Sequence, residues 1–255
     1  MMVIPDNLPV SLAPLAWMLG SWKGWGMYSA QFLTDTSAPA QTFPRAQAGE
    51  AEHANEENDP EASDDQPVIE EIRCDIVGDY MRMTTTIRYA QVREGMSIDP
   101  VWDAHTALSL MDESDILWEE TSYIHLLSGH VDVTTLAPGQ YAPRELMGTS
   151  ATTTGLGTLW AGVSVGPRVQ LVSDAIARAP QADDITHLGR MYGLVNGEMM
   201  WTQECTRAGA EVAVELSGRL MRISEEPEEA YAAPATSGTE HANTAGFSTS
   251  PTLER

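Results

Sequence analysis

The sequence predicts an all-β protein, an antiparallel barrel of about ten strands preceded by a short helix. Three observations support this fold class. Apolar and polar residues alternate with period two in runs such as 68–76 and 82–89, which is typical of half-buried strands. Such runs recur at short spacing, mostly with Gly, Pro, Asp or Asn between them and without long helical patterns. Asn196 and Gly197 form a two-residue hairpin signal, because both residues tolerate a positive φ.

The short helix is predicted just before the first strand. Leu12, Leu15, Ala16 and Leu19 are spaced i, i+3, i+4 and i+7, and Gly20 follows as a helix stop. One apolar face of this kind fits a helix that covers an end of the barrel.

The strand candidates follow the helix in a regular series. In order they are 22–33, 68–76, 82–89, 102–111, 116–127, 130–136, 143–150, 158–164, 168–176, 185–195, 198–206 and 212–223. Closure into a barrel is favoured because it removes the sheet edges. Cys74 and Cys205 both fall in alternating runs, and two cysteines are too few for a disulfide framework, so both are expected to be reduced strand residues.

The composition excludes several classes of partner. The chain has 255 residues with 37 acidic and 14 basic side chains, a formal net charge of −23. This charge opposes binding to nucleic acids and to anionic membranes. The N terminus has no basic segment followed by a long apolar stretch, which predicts neither a signal peptide nor a spanning helix and favours a cytoplasmic location.

The acidic residues concentrate in one segment. Residues 46–66 contain eight Asp or Glu and no Lys or Arg, and they lack the apolar surface that would offset their ordering entropy. A disordered loop is therefore expected at about 37–67. The segment 225–255 is rich in small and polar residues and is expected to be an unstructured tail, which leaves a barrel domain over 10–224.

The stretch 20–26, Gly-Ser-Trp-Lys-Gly-Trp-Gly, is the most informative motif. Glycines normally weaken a strand, but Gly20, Gly24 and Gly26 would let it bend over a closed barrel floor, while Trp22 covers the barrel base. A structural role is favoured over direct ligand chemistry, because an aromatic residue here is first of all a core residue.

This G-x-W-x-G-x-G motif after a Leu-rich helix resembles the nitrobindin family, whose members are compact ten-stranded barrels shaped like fatty-acid-binding proteins. Further stretches similar to that family are 118–123, 169–174, 185–194 and 216–222. The resemblance thus covers most of 12–223 apart from the acidic loop. It implies a barrel that binds haem b through one histidine near the C terminus, in a stretch resembling H-L-x-A-x-L-x-R, and that converts peroxynitrite to nitrate.

Two positions depart from the family pattern. The stretch comparable to H-L-x-A-x-L-x-R is 215–222, which places Glu215 at the histidine position. A carboxylate is a poor substitute for imidazole as a haem-iron ligand. The family lysine of an A-K-x-V-T-like stretch corresponds to Asp183, which inverts the charge. The resemblance therefore implies a barrel that has lost its iron anchor, and no cofactor is expected except haem b under the alternative below.

The orientation of Glu215 has two alternatives. Strict alternation places Leu216 and Leu220 on one face and Glu215 on the other with Arg219, where the two could form an exposed salt bridge. A bulge in this strand would instead turn Glu215 inward.

The remaining residues predict neither a catalytic site nor a metal site. The histidines have no metal-ligand spacing, and they are His53, His105, His125, His130, His187 and His241. His187 shares strand parity with Ile185 and could point inside. Neither a nucleophile elbow nor a phosphate-binding glycine loop is present in the sequence.

Three functions remain open. The first is a binding protein for a small hydrophobic ligand, or a barrel without a ligand. The second is a haem-dependent peroxynitrite isomerase with a replacement axial ligand, for which the candidates are His187, His125, Tyr123 and Tyr192. The third is a scaffold whose acidic loop or tail docks a basic partner, with a salt-sensitive association that is lost on deletion of 46–66.

Overall fold

The computed structural model describes residues 8–32, 65–127, 137 and 140–223. These residues form a closed barrel of ten antiparallel strands in which each strand pairs with the next and β10 returns to β1. The strands are β1 (Gly20–Tyr28), β2 (Gln66–Val77), β3 (Tyr80–Val92), β4 (Met111–Leu126), β5 (Arg144–Thr152), β6 (Leu156–Ser164), β7 (Arg168–Arg178), β8 (Ile185–Val195), β9 (Glu198–Arg207) and β10 (Ala213–Ile223). The predicted fold class is confirmed.

Most of the acidic loop, the predicted strand 130–136 and the tail 225–255 lie outside the described residues, so these expectations remain predictions. One loop boundary was wrong. Gln66 and Pro67 belong to β2, where they pair with Tyr28 and Met27 of β1. Pro67 is tolerated because it lies at the start of the strand, before the pairing with β3 begins at Val68.

The N-terminal helix is a 3-10 helix over Val10–Met18. Pro14 in its middle has no N–H to donate, which disfavours continuous α-helical bonding. Leu12, Leu15 and Met18 are almost completely buried and belong to the same apolar cluster as the barrel interior. The helix therefore covers an end of the barrel, as the spacing of its apolar residues predicts. Among the described residues, no helix combines the length and apolar character needed to cross a membrane.

The predicted strand 102–111 was wrong. Ala104–Leu108 form a short helix, α1, whose N-cap Asp103 accepts a hydrogen bond from Thr106 N at 2.8 Å. Its Ala107 packs with Trp25 of β1 in a small apolar cluster on the outside of the barrel. Short apolar side chains around Asp103 are compatible with either a strand or a helix. The Asp103 cap and the packing of Ala107 on Trp25 together favour the helix.

The glycines of the 20–26 motif lie where the barrel strands approach closely. A Cβ at Gly24 would overlap the backbone of Arg219 and Leu220 on β10. A Cβ at Gly26 would overlap the carbonyl of Ser217. Trp22 is 1% exposed and its Nε1 donates to the Met18 carbonyl at 2.7 Å, which ties the helix to the barrel base.

The same glycines make room for a buried acid. Glu70 of β2 is completely buried inside the barrel, and its carboxyl group occupies the space that a Cβ at Gly26 or Gly218 would fill. Trp201 Nε1 donates to Glu70 Oε2 at 2.7 Å. Burial raises the pKa of Glu70 to about 8, and the Trp201 hydrogen bond opposes that shift.

We expect Gly218→Ala to lower the free energy of unfolding by about 1–3 kcal/mol, because its Cβ would overlap the Glu70 carboxyl group. The same substitution in a Glu70→Ala background should cost much less, since the three atoms nearest to the added Cβ all belong to that carboxyl group. Gly26→Ala is the comparison, because its overlap with the Ser217 carbonyl persists without Glu70. Urea denaturation of the variants measures these free energies of unfolding. An equal cost of Gly218→Ala in both backgrounds would contradict the overlap with the Glu70 carboxyl group.

Candidate ligand-binding site

A cavity of about 400 Å³ lies inside one end of the barrel. Its wall is formed by β1, β3, β4, β5, β6, β8, β9 and β10 together with the 3-10 turn Ala30–Phe32, the β5–β6 turn and the β7–β8 loop. The apolar and aromatic residues of the wall are Tyr28, Phe32, Tyr89, Ile116, Leu117, Trp118, Leu156, Ala182, Ile185 and Leu188. The cavity combines this apolar wall with a small set of polar groups, which is the usual make-up of a small-molecule site.

A bulge in β10 turns Glu215 into this cavity. Val214 pairs with Glu204 and Leu216 with Gln203, so Glu215 is an extra residue between two consecutive pairs. Glu215 and Leu216 are therefore both buried, while Val214 is 48% exposed. The alternative of an outward salt bridge with Arg219 is wrong.

Arg219 has partners of its own on the outer face of the barrel. It donates to the carbonyl of Trp102 at 2.8 Å and lies 3.5 Å from the Glu198 carboxylate.

Glu215 belongs to a buried polar network that includes Tyr28, Gln203, Arg190 and Glu120. Tyr28 Oη donates to Glu215 Oε1 at 3.3 Å, and Gln203 Nε2 donates to Glu215 Oε2 at 2.6 Å. Arg190 Nε donates to Gln203 Oε1 at 2.6 Å. The same guanidinium makes two hydrogen bonds to Glu120, at 2.5 and 2.7 Å. This fork-to-fork geometry fixes the orientation of each member of the polar network.

Burial and neighbouring charge set the protonation of the network. Burial raises the pKa of Glu215, and the hydrogen bonds from Gln203 and Tyr28 oppose the shift. Burial and the nearby Glu215 charge raise the pKa of Tyr28, so its phenol keeps its proton. Burial lowers the pKa of Arg190, but the attraction of Glu120 outweighs it and the guanidinium stays charged. Arg190 also lies 4.7 Å from the ring centroid of Trp160.

A second charged pair lies at the mouth of the cavity. Arg207 donates to Asp183 at 3.1 Å, and its guanidinium carbon lies 4.9 Å from the ring centroid of Phe32. The Asp183 side chain is 46% exposed. Asp183 thus lines the same cavity as Glu215.

The side chains predicted as replacement axial ligands of haem iron do not line this cavity. Tyr123 and His125 share the outer face of β4, because Ile124 and Leu126 fill the interior. His187 lies on the outer face of β8, since a register shift between Ile185 and His187 reverses the parity expected from the sequence.

Tyr192 points inward but lies outside the wall of this cavity. Its ring stacks on Trp201 with the ring centroids 5.5 Å apart.

The remaining described histidine and the two cysteines do not form a metal or catalytic site with one another. His105 lies in α1, whereas His53, His130 and His241 lie outside the described residues. Within the described ranges, no group of three or more His, Cys, Asp or Glu could hold a metal ion. Cys74 and Cys205 are buried free thiols, and burial raises the pKa of each to about 12.

A larger groove of about 500 Å³ lies on the outer surface across β8, β9, β10 and β1. It is lined by apolar side chains such as Met27, Met191 and Met200, and its charged side chains are Arg168 and Arg219. The groove is more open than the interior cavity, and neither of its two charged side chains is buried. The interior cavity is therefore the better candidate site.

Sequence reasoning missed Tyr28, Gln203 and the Glu120–Arg190 pair. A usable signal was present, because Arg190 shares strand parity with the apolar Leu188 and Tyr192. Glu120 likewise shares parity with Trp118 and Ile124. Charged residues on the apolar face of two strands predict a buried ion pair, although which strands meet across the barrel depends on its closure.

A closed antiparallel barrel with an apolar cavity and a few oriented polar groups at one end defines a class of small-ligand-binding barrels. Residues 11–222 match the family model described as the THAP4-like, heme-binding beta-barrel domain, and the chain belongs to this family. The resemblance to nitrobindins is confirmed.

Two relatives illustrate the range of names within the family. A ferric nitrobindin-like protein of Kineococcus radiotolerans is 26% identical over 219 residues, covering 86% of this chain and 96% of the relative. A peroxynitrite isomerase of Kocuria rhizophila is 28% identical over 232 residues, covering 86% of this chain and 94% of the relative. The crystal structure of Rv2717c from M. tuberculosis matches 86% of this chain and 100% of that chain, with a TM-score of 0.50 at 20% identity, and supports the fold.

Proposed function

We propose that this protein binds a small ligand in the interior cavity and does not coordinate haem iron in the manner of the family. The observation that carries the proposal is the inward-facing Glu215, which the β10 bulge turns into the cavity and which Gln203 and Tyr28 hold by hydrogen bonds. The position that the resemblance assigns to the haem-ligating histidine thus carries an acid committed to a polar network.

The donor set of the cavity fits haem iron poorly. The described lining residues carry neither imidazole nor sulfur. Both Glu215 oxygens already accept hydrogen bonds. A tyrosine phenolate can ligate haem iron, but the Tyr28 hydroxyl donates a hydrogen bond to Glu215 and its pKa is raised, which disfavours the phenolate.

What the cavity offers instead is apolar surface with polar groups at fixed positions. A volume of about 400 Å³ lies within the range of small-molecule pockets. Trp118 and Leu188 contribute apolar wall, while Glu215 and Gln203 supply the polar groups that would orient a ligand.

The alternative is a haem-dependent peroxynitrite isomerase, the activity in the name of the Kocuria rhizophila relative. It requires a replacement axial ligand at the cavity. The positions of His125, His187, Tyr123 and Tyr192 outside the cavity wall argue against it. Acceleration of peroxynitrite decay to nitrate in proportion to bound haem, beyond that of free haem, would establish the alternative.

We expect Glu215→His to raise haem affinity by about tenfold or more, because an imidazole would then face the cavity in place of a carboxyl group. The measurement is a haem titration followed by the Soret band after gel filtration. Glu204→His is the matched control, since Glu204 is the neighbour of Gln203 on the exposed outer face of β9.

Two results would contradict the proposal. A stoichiometric Soret band in the unmodified protein would show that haem binds without the substitution. A folded Glu215→His variant that stays colourless with haem would show that Glu215 does not stand at the position of the family histidine.

A further inference from the structure

The two guanidinium groups at the interior cavity each form an ion pair with a carboxylate other than Glu215. Arg190 is paired with Glu120 at 2.7 Å, and Arg207 with Asp183 at 3.1 Å. Among the described residues that line the cavity, Glu215 is the remaining charged group. Its two hydrogen-bond donors, the Tyr28 hydroxyl and the Gln203 amide, are both neutral.

Glu215 retains capacity for another donor. An ionised carboxylate has about four lone-pair sites. Two of these sites are used, one on each oxygen. Arg190 and Arg207 also attract the Glu215 carboxylate, but each forms its ion pair with another acid, Glu120 or Asp183. A further donor that carries a positive charge would therefore both complete the hydrogen bonding of Glu215 and balance its charge.

The cavity wall suits a cation with an apolar body. Aromatic rings of Tyr28, Phe32, Tyr89 and Trp118 line it, and ring faces attract cations. Phe32 already carries a guanidinium over its ring at 4.9 Å, so a ring of this wall does accept a cation in the folded protein. Aliphatic residues such as Leu156 and Leu188 supply surface for a hydrocarbon chain.

We propose that the interior cavity binds small apolar amines in their protonated form, with the ammonium group donating to Glu215 and the hydrocarbon part packed on the aromatic and aliphatic wall. The inference rests on the proposed function, that the cavity takes a small ligand, and specifies the chemical class of that ligand. An anionic ligand of the same shape would meet the unbalanced Glu215 charge inside a chain of net charge −23.

Three probes with the same chain length test the inference on the whole protein at pH 7: octylamine, octanol and octanoate. Isothermal titration calorimetry should give one site for octylamine, with an affinity roughly 10- to 100-fold above that of octanol, because a hydrogen bond to a charged group is stronger than one between neutral groups. Octanoate should bind more weakly than octanol.

Two variants separate the cavity from general attraction to an acidic protein. Glu215→Gln keeps the shape and should reduce octylamine affinity to about that of octanol. Glu204→Gln removes the same unit of charge from the exposed outer face of β9 and should leave all three affinities unchanged. Circular dichroism establishes that each variant is folded. If Glu215→Gln does not fold, the ranking of the three probes on the unmodified protein still decides the inference.

The outcomes distinguish this inference from the function on which it rests. Octanol binding as tightly as octylamine, or octylamine affinity unchanged in folded Glu215→Gln, would overturn the amine preference and leave small-ligand binding intact. Absence of binding for all three probes would overturn both.

Discussion

Arg190→Met should lower the free energy of unfolding by about 3–5 kcal/mol at pH 7, because it leaves the buried Glu120 carboxylate without its counter-charge. The two side chains are only 2% and 1% exposed, so water cannot replace the lost partner. The substitution also removes the donor to Gln203 Oε1 and the cation over the Trp160 ring. Urea denaturation followed by tryptophan fluorescence and circular dichroism measures the change.

An exposed pair provides the control for this experiment. Arg93 and Asp112 form an ion pair at 2.9 Å with side chains 53% and 64% exposed. Arg93→Met should change stability far less than Arg190→Met, because exposed pairs are screened by solvent. The double variant Glu120→Met/Arg190→Met should be more stable than Arg190→Met, since no unpaired charge remains buried. A cost for Arg190→Met no larger than that for Arg93→Met would contradict the role of the buried pair.

Glu70→Gln should make the protein progressively more stable than the unmodified protein as the pH rises from about 4.5 to about 8. Glu70 is fully buried with Trp201 as its donor, and burial raises its pKa to about 8. The folded state therefore keeps a proton that the unfolded state releases above its ordinary pKa. The stability contributed by the protonated carboxyl group is complete below that ordinary pKa and is lost as the pH rises through the folded pKa.

The size of this effect follows from proton linkage. The difference between Glu70→Gln and the unmodified protein should grow by up to about 1.4 kcal/mol per pH unit, reaching on the order of 4 kcal/mol at pH 8. Denaturation at several pH values measures it, with Glu215 present in both proteins so that its own titration cancels. Glu204→Gln on the exposed outer face should stay within about 0.5 kcal/mol throughout. A constant difference for Glu70→Gln would show that the folded and unfolded states hold the same number of protons.

The strand register explains which parts of the candidate site could be predicted. Leu216 and Leu220 were correctly placed in the interior, because alternation holds through most of β10. Glu215 could not be placed in this way, since a one-residue bulge reverses the parity of the residues on one side of it. The same effect between Ile185 and His187 moved His187 to the outer face.

Contacts between residues far apart in the sequence account for the features that could not be predicted. Glu120 and Arg190 are 70 positions apart, and they meet only because the barrel closes and directs both side chains across its interior. The burial of the Glu70 carboxyl group depends in the same way on the space left by Gly26 and Gly218, which lie on two other strands. The 102–111 segment was misassigned because α1 is selected by its packing on Trp25, outside the barrel, in addition to its local cap.

The amino-acid sequence alone determines that this protein is a barrel of antiparallel strands with a helix over one end, because alternation, turn residues and glycine positions are local signals that do not depend on the partner strand. It also determines the family, through a motif and several ordered stretches. The tertiary structure alone decided that Glu215 faces a cavity and that Arg190 is neutralised by Glu120. The first outcome depends on a bulge and the second on a contact across the closed barrel, where the free energy of burying a charge is set by residues far away in the chain.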